Sequence, residues 1–233
     1  MLAAAPFAVG AFAWQQRRTL EAHGSPLLPL PLFRDRGFAS GQLVQVLSSI
    51  GNGGYVLVLL YYVQSALGFS ALAAGLTLLP FALGSMVATP LAILATKRMG
   101  KWAVLAGGMV QAGALTWVLW TISANGQSLT GWDLTAPLAL TGAGMMTLIM
   151  PLTTIALESV PTQDAGAASG TLTTFSQVGM VLGVALAGTV FFGVLQDAAE
   201  ARDAITTALW VPIAAYALAG LAASAAMPGR AQR

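Results

Sequence analysis

Gln42, Gln45, Ser49 and Asn52 recur three and four residues apart in an otherwise apolar stretch. On a helix advancing about 100° per residue they fall within an arc of roughly 80°. Ser48 and Tyr55 extend one edge of that stripe, and the opposite face carries Leu43, Val46, Leu47, Ile50, Leu57 and Val58. Amides and hydroxyls hydrogen-bond in both directions but carry no proton load at ordinary pH. Their chemistry is recognition, not acid–base catalysis. In hydrocarbon an amide is costly unless it meets a partner or water. The stripe therefore faces either a water-filled pathway or a neighbouring helix to which it binds. Four hydrogen-bonding positions in one line exceed the needs of a single helix contact. That favours a substrate pathway lined by Gln42, Gln45, Ser49, Asn52 and Tyr55.

Little else in the chain can do chemistry. Glu158 is the only acidic residue adjoining the inward end of a long apolar segment, and a carboxylate there is a candidate proton-coupling group. It runs straight into Ser-Val-Pro-Thr-Gln-Asp164, a turn that sets it at the water interface. His23 is the only histidine and has no second candidate ligand, and there is no cysteine. Thiolate metal sites and disulfides are excluded, and no metal or cofactor is expected. Serines lack a histidine partner and no phosphate-binding loop is present, so neither an enzyme nor an ATP-driven pump is supported. A net charge of +2 gives no reason to expect nucleic acid.

The elements that carry these residues follow from composition. Apolar residues make up 57% of 233 and charged residues 8%, against about 25% charge in soluble domains. The chain is read as an all-α, polytopic membrane protein whose partner is the lipid bilayer. Six segments reach the roughly 20 residues needed to cross hydrocarbon: residues 41–62, 71–95, 102–122, 136–157, 167–195 and 205–227. None contains a charged residue, and Pro80, Pro90, Pro151 and Pro212 lie inside them. Residues 1–14 are apolar but too short to cross, which reads as a partial transmembrane helix and the chain as a C-terminal fragment. Residues 15–40 form a proline-bearing cytoplasmic connector, residues 41–227 the six-span unit, and residues 228–233 a cytoplasmic tail.

Orientation comes from the basic residues. Every one except Arg202 falls on one side of this topology, and the positive-inside rule makes that side, including the C-terminus, cytoplasmic. The expected location is the cell (inner) membrane. Within it, close helix contacts need small residues. Gly166, Gly170, Gly179 and Gly183 form two small-xxx-small pairs on the fifth span, read as its packing face.

Met150-Pro-Leu-Thr-Thr154, Glu158-Ser-Val-Pro161, Asp164-Ala-Gly-Ala-Ala-Ser-Gly170 and Val181-Leu-Gly-Val-Ala-Leu-Ala-Gly188 resemble the late spans of major facilitator superfamily transporters. The likeness is greatest to 14-span multidrug:proton antiporters of the EmrB/QacA type, and covers only the second half of such a protein. Leu30-Pro-Leu-Phe33-Arg-Asp-Arg-Gly-Phe38 is similar to the lead-in to those spans. Thr96-Lys-Arg-Met-Gly-Lys101 resembles the superfamily's cytoplasmic loop signature at Arg98, Gly100 and Lys101. Lys97, however, stands where the signature has an acid, and plain positive-inside anchoring explains the loop as well.

The resemblance implies a C-terminal six-helix half of a major facilitator fold, a 3+3 inverted repeat. It implies proton-coupled export of small amphipathic compounds or drugs, with a missing N-terminal transporter half as partner. The reading from another class is a truncated, non-transporting membrane module that is inert or packs with partner subunits.

Overall fold

The computed structural model describes residues 30–158, 160–196 and 200–227. Expectations for residues 1–29 and for the tail after residue 227, among them the partial helix and His23, lie outside the described residues. The described chain is helical, and its helices make up six segments long and apolar enough to cross a membrane.

Span 1 is α1 (Arg36–Tyr61), continued by a π-helical turn at Tyr62–Ala66. It begins at Arg36 rather than at Gly41. Asp35 caps it by accepting the Phe38 N–H at 2.9 Å, satisfying a donor that the first turn leaves free. Span 2 is broken into α2 (Ala71–Thr77) and α3 (Leu79–Met99). Pro80 lies in the first turn of α3, where a missing N–H costs nothing. Span 3 is α4 (Lys101–Asn125). Gly100, at φ 55° and ψ −126°, turns the chain from α3 into α4 through a conformation that only glycine adopts freely. Spans 4 and 5 are α5 (Thr135–Glu158) and α6 (Ala165–Gln196). Span 6 is α7 (Ala201–Ala208) followed by α8 (Trp210–Ala226), broken ahead of Pro212.

The packing has an internal symmetry. Span 1 packs on spans 5 and 6 and more lightly on span 4, while span 4 packs on spans 2 and 3, and span 3 meets span 6. Exchanging spans 1 with 4, 2 with 5 and 3 with 6 maps this pattern onto itself. Residue contacts obey the same exchange. A Cβ on Gly179 would lie 2.6 Å from the Val46 carbonyl oxygen, and one on Gly84 would strike the Ala139 carbonyl. One repeat closes its seam at Ser49 and Ser176, and the other closes the equivalent place at Gly142 and Phe81. The exchange shifts each span by three places, an odd number, so the two repeats run in opposite directions.

Gly183 completes the seam between spans 1 and 5, backed against the Ile50 carbonyl. Gly166 and Gly170 do not belong to it. Both are exposed, and among the described residues no atom lies within 4 Å of where their Cβ would be. Ala168 and Thr171 beside them are buried, whereas Gly170 lies about 180° around the helix from Gly179, so that pair is corrected from a packing face within this chain to an open one.

Two apolar clusters make the core. One gathers Tyr55, Leu59, Leu115, Ile122, Phe191 and Ile205, and the other Val44, Val104, Leu148, Leu152, Ala219 and Met227. Between them, at the level of Gln45, Gln111 and Tyr216, lies a layer of polar side chains.

Candidate substrate site

The stripe on α1 is divided by its neighbours. Gln45, Ser48, Ser49 and Asn52 line a recess of about 120 Å³ with Gln111 of α4 and Tyr216 of α8. Gln42 and Tyr55 are not among its walls. Tyr55 is 1% exposed and its ring packs on Phe81 of α3, with centroids 5.9 Å apart. Gln42 is 3% exposed and neither of its amide atoms has a hydrogen-bond partner in the protein. A stripe about 80° wide at the backbone is wide enough for its edges to enter different helix contacts.

The recess is held by a short relay. Gln45 Nε2 donates to Ser49 Oγ at 3.3 Å, and Ser49 Oγ meets Ser176 Oγ of α6 at 3.0 Å. Ser48 Oγ turns away to the Gln45 carbonyl at 3.0 Å. Ser49 thus binds a neighbouring helix and also lines a cavity. Asn52 is half-buried. With Met180 of α6 it belongs both to the recess and to a groove of about 540 Å³ that follows Val56, Leu60, Tyr61 and Gln64 along span 1. The two cavities form one track along the seam of spans 1 and 5. Tyr61 stands over this track edge-on to Phe191 and Phe192, with centroids 5.3 and 5.0 Å away.

Three polar members of the recess escape the sequence reading. Gln111 and Tyr216 lie on spans without a polar stripe, and Ser176 lies on a helix read for its glycines. Gln111 is the only amide between Trp102 and Ile122, and a lone amide at mid-span is a signal that would have found it. Gln111 Nε2 and the Tyr216 hydroxyl are buried with no hydrogen-bond partner in the protein. Each such group costs about 1–3 kcal/mol if left unmatched. They are near neighbours, but they do not close a hydrogen bond of good geometry on each other.

The remaining candidates sit at the helix ends. Lys101 Nζ donates to the carbonyls of Ser224 and Met227 at 2.9 and 3.2 Å. It caps the C-terminus of α8, where unpaired carbonyls and the helix dipole favour a cation. Arg98 is exposed, and Gly100 makes the turn between them. Glu158 is exposed at the last residue of α5, away from the recess. No cluster of metal-ligating side chains occurs among the described residues.

Sequence comparison brings the chain beside several curated proteins. It is 38% identical to the probable actinorhodin transporter of Streptomyces coelicolor, over 86% of this chain and 35% of that protein. It is 34% identical to the multidrug efflux pump LfrA of Mycolicibacterium smegmatis, over 81% of this chain and 37% of that protein. It is 30% identical to the tetracenomycin C resistance and export protein of Streptomyces glaucescens, over 80% of this chain and 34% of that protein. The chain thus spans little more than a third of the length of these relatives. Its residues 2–184 match the Major Facilitator Superfamily. With six membrane-length helices packed as two exchanging triplets, this chain is a multi-pass membrane protein and belongs to the Major Facilitator Superfamily of transporters.

Proposed function

We propose that this chain is the second half of a proton-coupled exporter of small amphipathic compounds. Its site is the track that runs from the polar recess into the groove between spans 1 and 5. One observation carries this reading: the recess and the groove share Asn52 and Met180, joining a polar mid-span chamber to an apolar passage. A molecule with a polar end and an apolar body matches that sequence of surfaces.

The other half packs against spans 2 and 5. Only 11% and 28% of their central windows are buried, against 44% or more in the other spans. Leu72, Met86, Val87 and Leu91 of span 2 and Val181 of span 5 stand out from the structure. Alternating access then comes from rocking one half against the other about the site. The protein sits in the cell's inner membrane with its C-terminus cytoplasmic, a reading supported by the one-sided distribution of Lys and Arg.

The central windows of spans 1–6 contain no ionisable carboxylate, histidine or amine, and Glu158 lies at a helix end. The coupling group therefore belongs to the other half, and this chain supplies recognition. The test is ethidium accumulation in energised cells expressing the 233-residue chain with and without the preceding spans of a full-length relative. Protonophore-sensitive efflux is expected only with the complete set. Efflux by the chain by itself would return Glu158 to the coupling role. Efflux by neither would favour the non-transporting module.

A further inference from the structure

Gly51 and Gly144 occupy equivalent positions of spans 1 and 4, in the same register that pairs Val46 with Ala139. Each makes room for one polar side chain. A Cβ on Gly51 would lie 2.7 Å from Cζ of Tyr216, and one on Gly144 would lie 2.8 Å from Cγ of Gln111. Tyr216 is on span 6 and Gln111 on span 3, which the exchange also relates. The two repeats thus carry the same device: a glycine on the inner span that seats a polar side chain from the outer one. Both seated side chains are 1% exposed, both line the recess, and both retain an unpartnered polar atom.

We propose that this doubled cradle is a binding site for one neutral hydroxyl group carried on a small aromatic or apolar body. The proposal rests on the transport reading above and names the feature of the substrate that the recess recognises. The polar walls are amides and hydroxyls, with no charged residue among the lining. A set that both donates and accepts suits a hydroxyl, which does the same. A charged head would be desolvated there without a counter-charge. Met145, Ile149 and Met180 supply the apolar walls, and thioethers pack well against aromatic rings. The volume of about 120 Å³ would hold a few water molecules at about 30 Å³ each, or in their place one ring bearing a hydroxyl. Gln111 and Tyr216 line the recess but not the groove, whereas Asn52 lines both, so a hydroxyl bound between Gln111 and Tyr216 leaves the rest of the molecule room towards Asn52 and the passage beyond. Helices that serve only as outer scaffold have no need of cradled, unpartnered polar groups.

The experiment uses the full chain in lipid nanodiscs with two isosteric probes, 4-fluorophenol and 4-fluorotoluene, followed by fluorine NMR. The phenol is expected to bind saturably and the toluene only to partition in proportion to lipid. Gln111→Leu and Tyr216→Phe should each weaken phenol binding about tenfold, the size of one lost hydrogen bond. Gly51→Ala should weaken it too, by displacing the Tyr216 ring. Tyr216→Phe removes a single oxygen and keeps the test open if Gln111→Leu does not fold. Equal behaviour of the two probes, or phenol binding unchanged in both Gln111→Leu and Tyr216→Phe, would overturn the proposal. Either result would leave efflux by the complete transporter unaffected as a separate measurement. Loss of efflux with phenol binding intact would count against the transport reading and not against this site.

Discussion

Ser49 Oγ and Ser176 Oγ lie 3.0 Å apart across the seam of spans 1 and 5, at the rim of the polar recess. This one hydrogen bond both joins two helices and sets the wall of a cavity, so its removal separates stability from binding. Interhelical hydrogen bonds in membranes average about 0.6 kcal/mol, and reach about 1.7. Ser49→Ala and Ser176→Ala should each cost about that amount, and the double variant should cost no more than either. A double-mutant cycle on unfolding in mixed micelles measures the coupling. Fully additive losses would mean that the two hydroxyls act independently.

Gly183 and Gly170 lie on the same helix and should respond in opposite ways. Gly183→Leu pushes a side chain into the Ile50 carbonyl, and folded yield should fall severely. Gly170→Leu points into open space and should leave the yield and thermal stability of this chain unchanged. If span 5 docks another half, the second variant should impair only the complete transporter. Size-exclusion recovery of both variants is the measurement, and an equal loss in both would contradict the packing described.

Lys101 should matter more than its neighbours in the same loop. Its two bonds to the last carbonyls of span 6 are charge-assisted and placed at the negative end of a helix dipole. Lys101→Met should destabilise by about 1–2 kcal/mol and loosen the end of α8. Arg98→Met, at an exposed position, should change stability little. Hydrogen exchange of the Ser224–Met227 amides distinguishes the two variants, and identical exchange would remove the capping role.

Topology is open to direct labelling. Cysteines placed near Lys97 and at the C-terminus should be protected from an impermeant maleimide in whole cells, and cysteines near Ser128 and Arg202 should react. The basis is that all basic residues but Arg202 share one side. A reactive C-terminus would invert the assignment.

Sequence by itself determined the class of the molecule and the order of its spans. With 57% apolar and 8% charged residues, only helices that satisfy their own backbone can form in lipid, and hydropathy locates them. The stripe from Gln42 to Asn52 was legible because one helix repeats every 3.6 residues. Helix periodicity also marked Gly179 and Gly183 as one face and sets Gly170 about 180° away from Gly179, but it could not say which of the two faces meets another helix. Only the neighbouring helix decides which glycines meet a carbonyl and which meet open space. The same limit hid Gln111, Ser176 and Tyr216. They lie on three different helices, and the distances that bring them to Gln45 and Ser49 depend on how those helices cross, which no local pattern encodes. The exchange of the two triplets was anticipated from an odd number of spans, whereas its register became visible only as pairs of close backbone contacts. Span number follows from transfer into hydrocarbon, residue by residue. The recess is a property of five helices at once, set by which small side chains let their backbones approach.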